Sequence, residues 1–186
     1  MLYPNREDKM LGNESQLTGG SINYQEIKAR ADKLLRENSI VNIYQFPVPI
    51  AKIANSLGYH IKMFNPDPDQ GVVSGMISSQ DKRILINAND SYERQRFTIA
   101  HEIGHHILHF QYKNSDEIYI DFRKPGNVNN PIKELQADEF AGCLLMPEEF
   151  FREAWNITKG HFKDMSLIFS ISKAAIGMRA FNLNME

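Results

Sequence analysis

The chain has 186 residues, 42% apolar and 24% charged, with a formal net charge of −2 and a pI near 6.3. That balance fits one globular domain with a sizeable core, and without an excess of Lys and Arg it offers no basic face for nonspecific nucleic-acid binding. A single cysteine, Cys143, excludes an intramolecular disulfide or a thiolate metal cluster within one chain and points to a reducing cytosol. The polar N-terminal stretch has no apolar h-region and no later run approaches 18 consecutive apolar residues, so neither secretion nor membrane insertion is expected.

Residues 1–20 lack helical or strand periodicity and read as a flexible tail, leaving 21–186 as a single domain. From Ser21 to about Asn38 the spacing of Ile27, Ala31, Leu34 and Leu35 predicts an amphipathic helix. A second, short helix follows Pro47-Val48-Pro49, carries Ile50, Ile53, Ala54 and Leu57, and ends at Gly58. Three strands are predicted at Tyr59–Phe64, Val72–Ser78 and Arg83–Ile86, in a small, mostly antiparallel sheet. Asn89-Asp90-Ser91 offers an N-cap to a long helix reaching about His109. Residues 111–131 form a long loop, and helices are predicted at about 132–145, after Pro147, and over the last thirty residues. The fold class is α+β and mostly helical.

The long helix holds four of the six histidines within nine residues, in His101-Glu102-Ile103-Gly104-His105-His106-Ile107-Leu108-His109. His101 and His105, at i and i+4, project from one face toward a common point, the H-E-x-x-H arrangement of zinc peptidases. Phe97, Ile99, Ala100, Ile103, Gly104, Ile107, Leu108 and Phe110 make a broad apolar arc, so the remaining strip of Thr98, His101, Glu102, His105, His106 and His109 is expected to face a cleft. His106 points away and reads as structural. His109 lies eight residues and roughly 12 Å of helix rise from His101, too far to share one ion with it along a continuous helix.

A third histidine supplied through H-E-x-x-H-x-x-G-x-x-H is excluded, because the last two key positions hold Leu108 and Gln111. The alternative is a carboxylate from a later helix, and Pro131–Pro147 offers Glu134, Asp138 and Glu139. Glu134 and Asp138 line up with Ala141 and Leu145 beside the arc of Ala137, Phe140 and Leu144, on the buried side. Glu139 falls with Gln136 and Cys143 on the other side, as a solvated charge. With Glu134 as ligand, Asp138 stands one turn on, where it can accept the second ring N–H of a ligand histidine. Two acids near a helix start are also what the helix dipole favours.

The stretch Arg96–His109, followed by Glu134-x-x-Ala137-Asp138-x-Phe140-Ala141 and Leu144-Leu145-Met146-Pro147, resembles the ImmA/IrrE family of zinc metallopeptidases over about residues 23–183. The resemblance implies a compact zincin-like domain of bacteria, phages or mobile elements, with one zinc on His101, His105 and Glu134. It places the general base on Glu102 and the acid behind a ligand histidine on Asp138, where many relatives carry Asn. It also implies a protein substrate, a helix-turn-helix repressor whose cleavage releases its target genes.

In such a site Glu102, rotated off the ligand face, takes a proton from water and passes it to the leaving amine. His109, Tyr119 and Arg96 are candidates to support the oxyanion. The competing reading is a zincin-like module that sequesters a repressor or toxin partner without hydrolysing it. A third reading, DNA contact through Leu167–Leu183, finds too little basic charge, and helical packing explains that segment better.

Overall fold

The computed structural model describes residues 23–67, 73–110 and 131–185. The expected N-terminal tail, the 111–130 loop and Tyr119 lie outside them. Helix α1 (Tyr24–Glu37) starts where Asn23 Oδ1 accepts the Glu26 N–H at 2.9 Å. Its buried stripe of Ile27, Ala31, Leu34 and Leu35 lies along α4 (Pro131–Leu145). A single 3-10 turn, Ile43–Gln45, leads to α2 (Ile50–Ser56). Two residues later Gly58 turns the chain at φ +83°, a conformation that L side chains rarely adopt.

The strands are β1 (His60–Phe64), β2 (Gly75–Ser78) and β3 (Arg83–Asn87), in spatial order β1-β3-β2. The β2–β3 pair is an antiparallel hairpin, but β1 pairs with β3 in parallel, so the sheet is mixed rather than mostly antiparallel. The chain does not fold straight back after β1. Its connection begins Asn65-Pro66-Asp67 and spans residues 65–74, long enough to reach the far edge and let β3 return through the middle. Ile84 and Ile86, two residues apart, are fully buried on one face, joined there by Ile77.

Helix α3 (Tyr92–His105) is capped by Ser91, whose Oγ accepts the Arg94 N–H at 3.3 Å, and it packs on β2 and β3. The α-helical spacing stops at His105, earlier than the sequence predicts, and His106–Phe110 continues as a π turn. Tyr59 Oη meets His106 Nδ1 at 3.0 Å, and Arg30 Nη1 donates to the Ile107 carbonyl at 2.9 Å. A wider turn of this kind leaves helical carbonyls in need of outside donors, and Arg30 supplies one.

Helix α4 lies against α3, and α5 (Glu148–Thr158), α6 (Phe162–Phe169) and α7 (Lys173–Asn182) complete the chain. Ala100 and Ile103 of α3 and Phe140, Ala141 and Leu144 of α4 are fully buried. Each large apolar side chain there contributes about 1.5–3 kcal/mol. At the α6–α7 turn Met165, Phe169, Ile171 and Ile176 are all buried, so the pair packs on the rest of the domain through this side. No described helix is long and apolar enough to cross a membrane.

Candidate active site

The sheet covers one side of α3 and α4 the other, so its middle is buried all round. Thr98 is 1% exposed, and His101, Glu102 and His105 are wholly enclosed. These side chains therefore lie inside the protein, His101 and His105 toward α4 and Thr98 and Glu102 toward β2. Gly104 sets how narrow the seam between α3 and α4 is. A Cβ there would lie 3.2 Å from the Ala137 Cα, the Ala137 carbonyl oxygen and Phe140 Cδ1, closer than ordinary contact. With only hydrogen at 104 and a methyl at 137, the two backbones approach closely enough for Glu134, one turn before Ala137, to reach across.

The Glu134 carboxylate spans the histidine pair. Its Oε2 is 3.3 Å from His101 Nε2 and its Oε1 is 3.3 Å from His105 Nε2, while the two imidazole nitrogens are 2.8 Å apart. Ligand atoms 2.0–2.1 Å from a tetrahedral zinc are separated by about 3.3–3.4 Å. Each His–Glu distance is about that long, although a different carboxylate oxygen makes each, and the His–His distance is about half an ångström shorter. Two imidazoles and one carboxylate are the donor set of open, catalytic metal sites, and these three residues could hold an ion.

Asp138 is closer to solvent than the wheel suggests, with half its side chain exposed, yet its Oδ1 is 2.7 Å from His101 Nδ1. A carboxylate accepts, so Nδ1 carries the proton and the Nε2 lone pair is left facing Glu134 and His105. Glu102 lies beside Gly75 at the start of β2. A Cβ on Gly75 would sit 3.4 Å from Glu102 Oε1 and 2.4 Å from Thr98 Cγ2, so glycine is what lets the strand come down on this helix.

The oxyanion candidates separate. Arg96 is buried and its Nη2 donates to the Val48 carbonyl at 2.8 Å, which commits it to bracing the entry to α2. Burial, partly offset by Tyr92, lowers the pKa of its guanidinium. His109 stays at the site's border, its ring 5.4 Å from that of His105. Burial first, then His105, pushes its pKa down to about 4.

Glu139 departs from its expected place in solvent. Its side chain is 12% exposed and its Oε1 is 3.3 Å from Nη1 of the buried Arg179 on α7. Arg179 also donates through Nε to the Met146 carbonyl at 3.0 Å and contacts Cys143 Sγ at 3.8 Å. Burial pushes the Cys143 thiol up to about 11. Helix α4 is thus covered on both sides, by α3 on one and by α1 and α7 on the other.

Sequence reasoning missed Gly104, Gly75 and Arg179. For Gly104 a signal exists: a glycine inside a buried helix, where it costs about 1 kcal/mol against alanine, implies that something comes close.

Comparison with known proteins agrees with this geometry. The family profile described as the IrrE N-terminal-like domain matches residues 57–181. The metallopeptidase ImmA of Bacillus subtilis is 28% identical over 144 residues, covering 74% of this chain and 73% of the relative. The radiation response metalloprotease IrrE of Deinococcus radiodurans is 36% identical over 81 residues, 42% of this chain but only 24% of that longer protein. With His101, His105 and Glu134 gathered around one point and Glu102 beside them, the chain belongs to the ImmA/IrrE family of metallopeptidases and is a metalloprotease.

Proposed function

We propose that residues 21–186 act as one zinc-dependent endopeptidase domain in the bacterial cytoplasm, with a helix-turn-helix repressor as substrate. His101, His105 and Glu134 hold the ion. The observation that carries this reading is the gathering of two imidazoles and one carboxylate, one ligand atom from each lying within 4.8 Å of the others, with a Glu134 oxygen 3.3 Å from each imidazole. Bound there, zinc would lower the pKa of a water to about 7 and supply a positive charge for the scissile carbonyl.

Glu102 takes the water's proton as the new C–O bond forms and passes it to the amide nitrogen as the C–N bond breaks, returning to its carboxylate. Asp138 holds His101 in the tautomer whose Nε2 faces the ion. Among the described residues, β2 pairs with a neighbour on one side only. Its first residue, Gly75, has its open Cβ direction on Thr98 and Glu102, which puts the start of this strand over Glu102. The substrate class comes from the sequence resemblance.

The test is incubation of the purified protein with a cognate repressor, with and without chelator, alongside Glu102→Gln. The amide keeps the side chain's size but cannot accept the water's proton at neutral pH. Glu102→Gln is expected to fold, to bind zinc and to lose about 10²–10⁴-fold in cleavage. Full relief of repression by this variant in cells would instead establish a sequestering module.

A further inference from the structure

The π turn His106–Phe110 follows directly on the ligand-bearing end of α3 and decides where the next histidine points. It is braced from two independent elements, by Tyr59 just before β1 and by Arg30 on α1. From this turn His109 reaches α4, its Nε2 standing 3.3 Å from the carbonyl oxygen of Lys133. A carbonyl only accepts, so Nε2–H donates. Lys133 immediately precedes Glu134 in the first turn of α4.

We propose that His109 is a positioning residue of the metal centre, which acts through the Lys133 carbonyl to fix the turn of α4 that presents Glu134. Glu134 belongs to a different helix from the histidine pair, so nothing covalent and local sets its distance from them. Two contacts bracket it instead. Gly104 against Ala137 sets the approach of the helices one turn beyond Glu134, and His109 on Lys133 sets it one residue before. A neighbour that fixes a ligand's orientation without touching the ion is a common part of metal sites.

The inference rests on the metal-centre reading above, and the experiment separates the two. Zinc affinity of the full chain is measured by competition with a chromophoric chelator for wild type, His109→Leu and His109→Gln, with the visible spectrum of the Co²⁺-loaded proteins as a second readout. Leucine removes the donor, whereas glutamine puts an amide N–H near the position of Nε2. His109→Leu is expected to bind zinc about 10–100-fold more weakly and to alter the cobalt spectrum, and His109→Gln to recover to within about threefold. Unchanged affinity and spectrum in His109→Leu would overturn the proposal, as would a glutamine variant that folds but binds as weakly as the leucine one. A wild-type chain that binds no zinc would remove the metal-centre reading itself.

Discussion

Replacing Gly104 by alanine tests whether the metal centre is built by helix approach. The added Cβ would stand 3.2 Å from two backbone atoms of Ala137 and from Phe140 Cδ1. The Phe140 ring can turn slightly, but Ala137 Cα and O cannot, so α4 has to retreat by a few tenths of an ångström. Two terms oppose each other. Alanine in a helix interior is favoured over glycine by about 1 kcal/mol, and overpacking a tight contact costs about 1–3 kcal/mol. The net effect on the metal-free protein is between roughly zero and 2 kcal/mol of destabilisation, a melting temperature lower by at most about 8 °C. The proposed metal centre should suffer more, because Glu134, its proposed third ligand, rides on the same helix and metal sites need ligands held within about 0.5 Å. Zinc affinity is therefore expected to fall about tenfold or more, measured by chelator competition beside thermal unfolding of the metal-free chain. Gly142→Ala is the control. Nothing lies within 4 Å of a Cβ at 142, so that variant should gain stability by about 0.5–1 kcal/mol and bind metal as wild type does. A Gly104→Ala protein that gains the same stability and keeps full zinc affinity would refute the reasoning.

Asp138→Ala should weaken zinc binding about 10–100-fold and Asp138→Asn less, since the amide oxygen still accepts the His101 Nδ1–H, whereas Glu134→Ala should nearly abolish binding. A zinc titration in which Asp138→Ala is the more damaging would exchange their roles. The Cys143 thiol, raised to about 11 by burial, is only about a thousandth thiolate at pH 8, so iodoacetamide should leave the native protein unlabelled and modify it once unfolded in denaturant. Rapid labelling of the native chain would contradict that burial.

The elements most legible in the sequence are those whose pattern is local. The stripe Ile27, Ala31, Leu34, Leu35 identifies α1 because four positions on one face settle the period, and Ser91 marks the start of α3 because a hydroxyl there can accept an orphan N–H. The pairing of β1 was not legible. Strand direction depends on which slot the chain enters after residues 65–74, and nothing in His60–Phe64 records that β3 will occupy the place beside it. The end of α3 escaped for a similar reason. The apolar spacing of Ile107 and Leu108 suits a continued α-helix, while the π turn is held by Arg30 and Tyr59, far away in sequence.

The site divides along the same line. His101 and His105, and again Glu134 and Asp138, are pairs four residues apart on single helices, so each shares a face by geometry alone and each was readable. Whether the two pairs meet depends on one distance between two helices, and no pattern within either helix encodes it. That distance rests on residues without catalytic chemistry, above all Gly104 and Ala137. The error over Glu139 has the same origin. A wheel assigns one buried side to a helix, but α4 is covered on two, and the charge placed in solvent is met by Arg179, forty residues on. Removing Arg179 alone would leave Glu139 as a largely buried charge without this guanidinium, a change that costs about 3–5 kcal/mol when such pairs are broken. Truncating both partners should cost less than the sum of the single variants, and a double-mutant cycle on thermal stability reads that difference directly. Additive losses would mean that the α4–α7 contact is held by apolar packing alone and that the ion pair contributes nothing to placing the helix that carries Glu134.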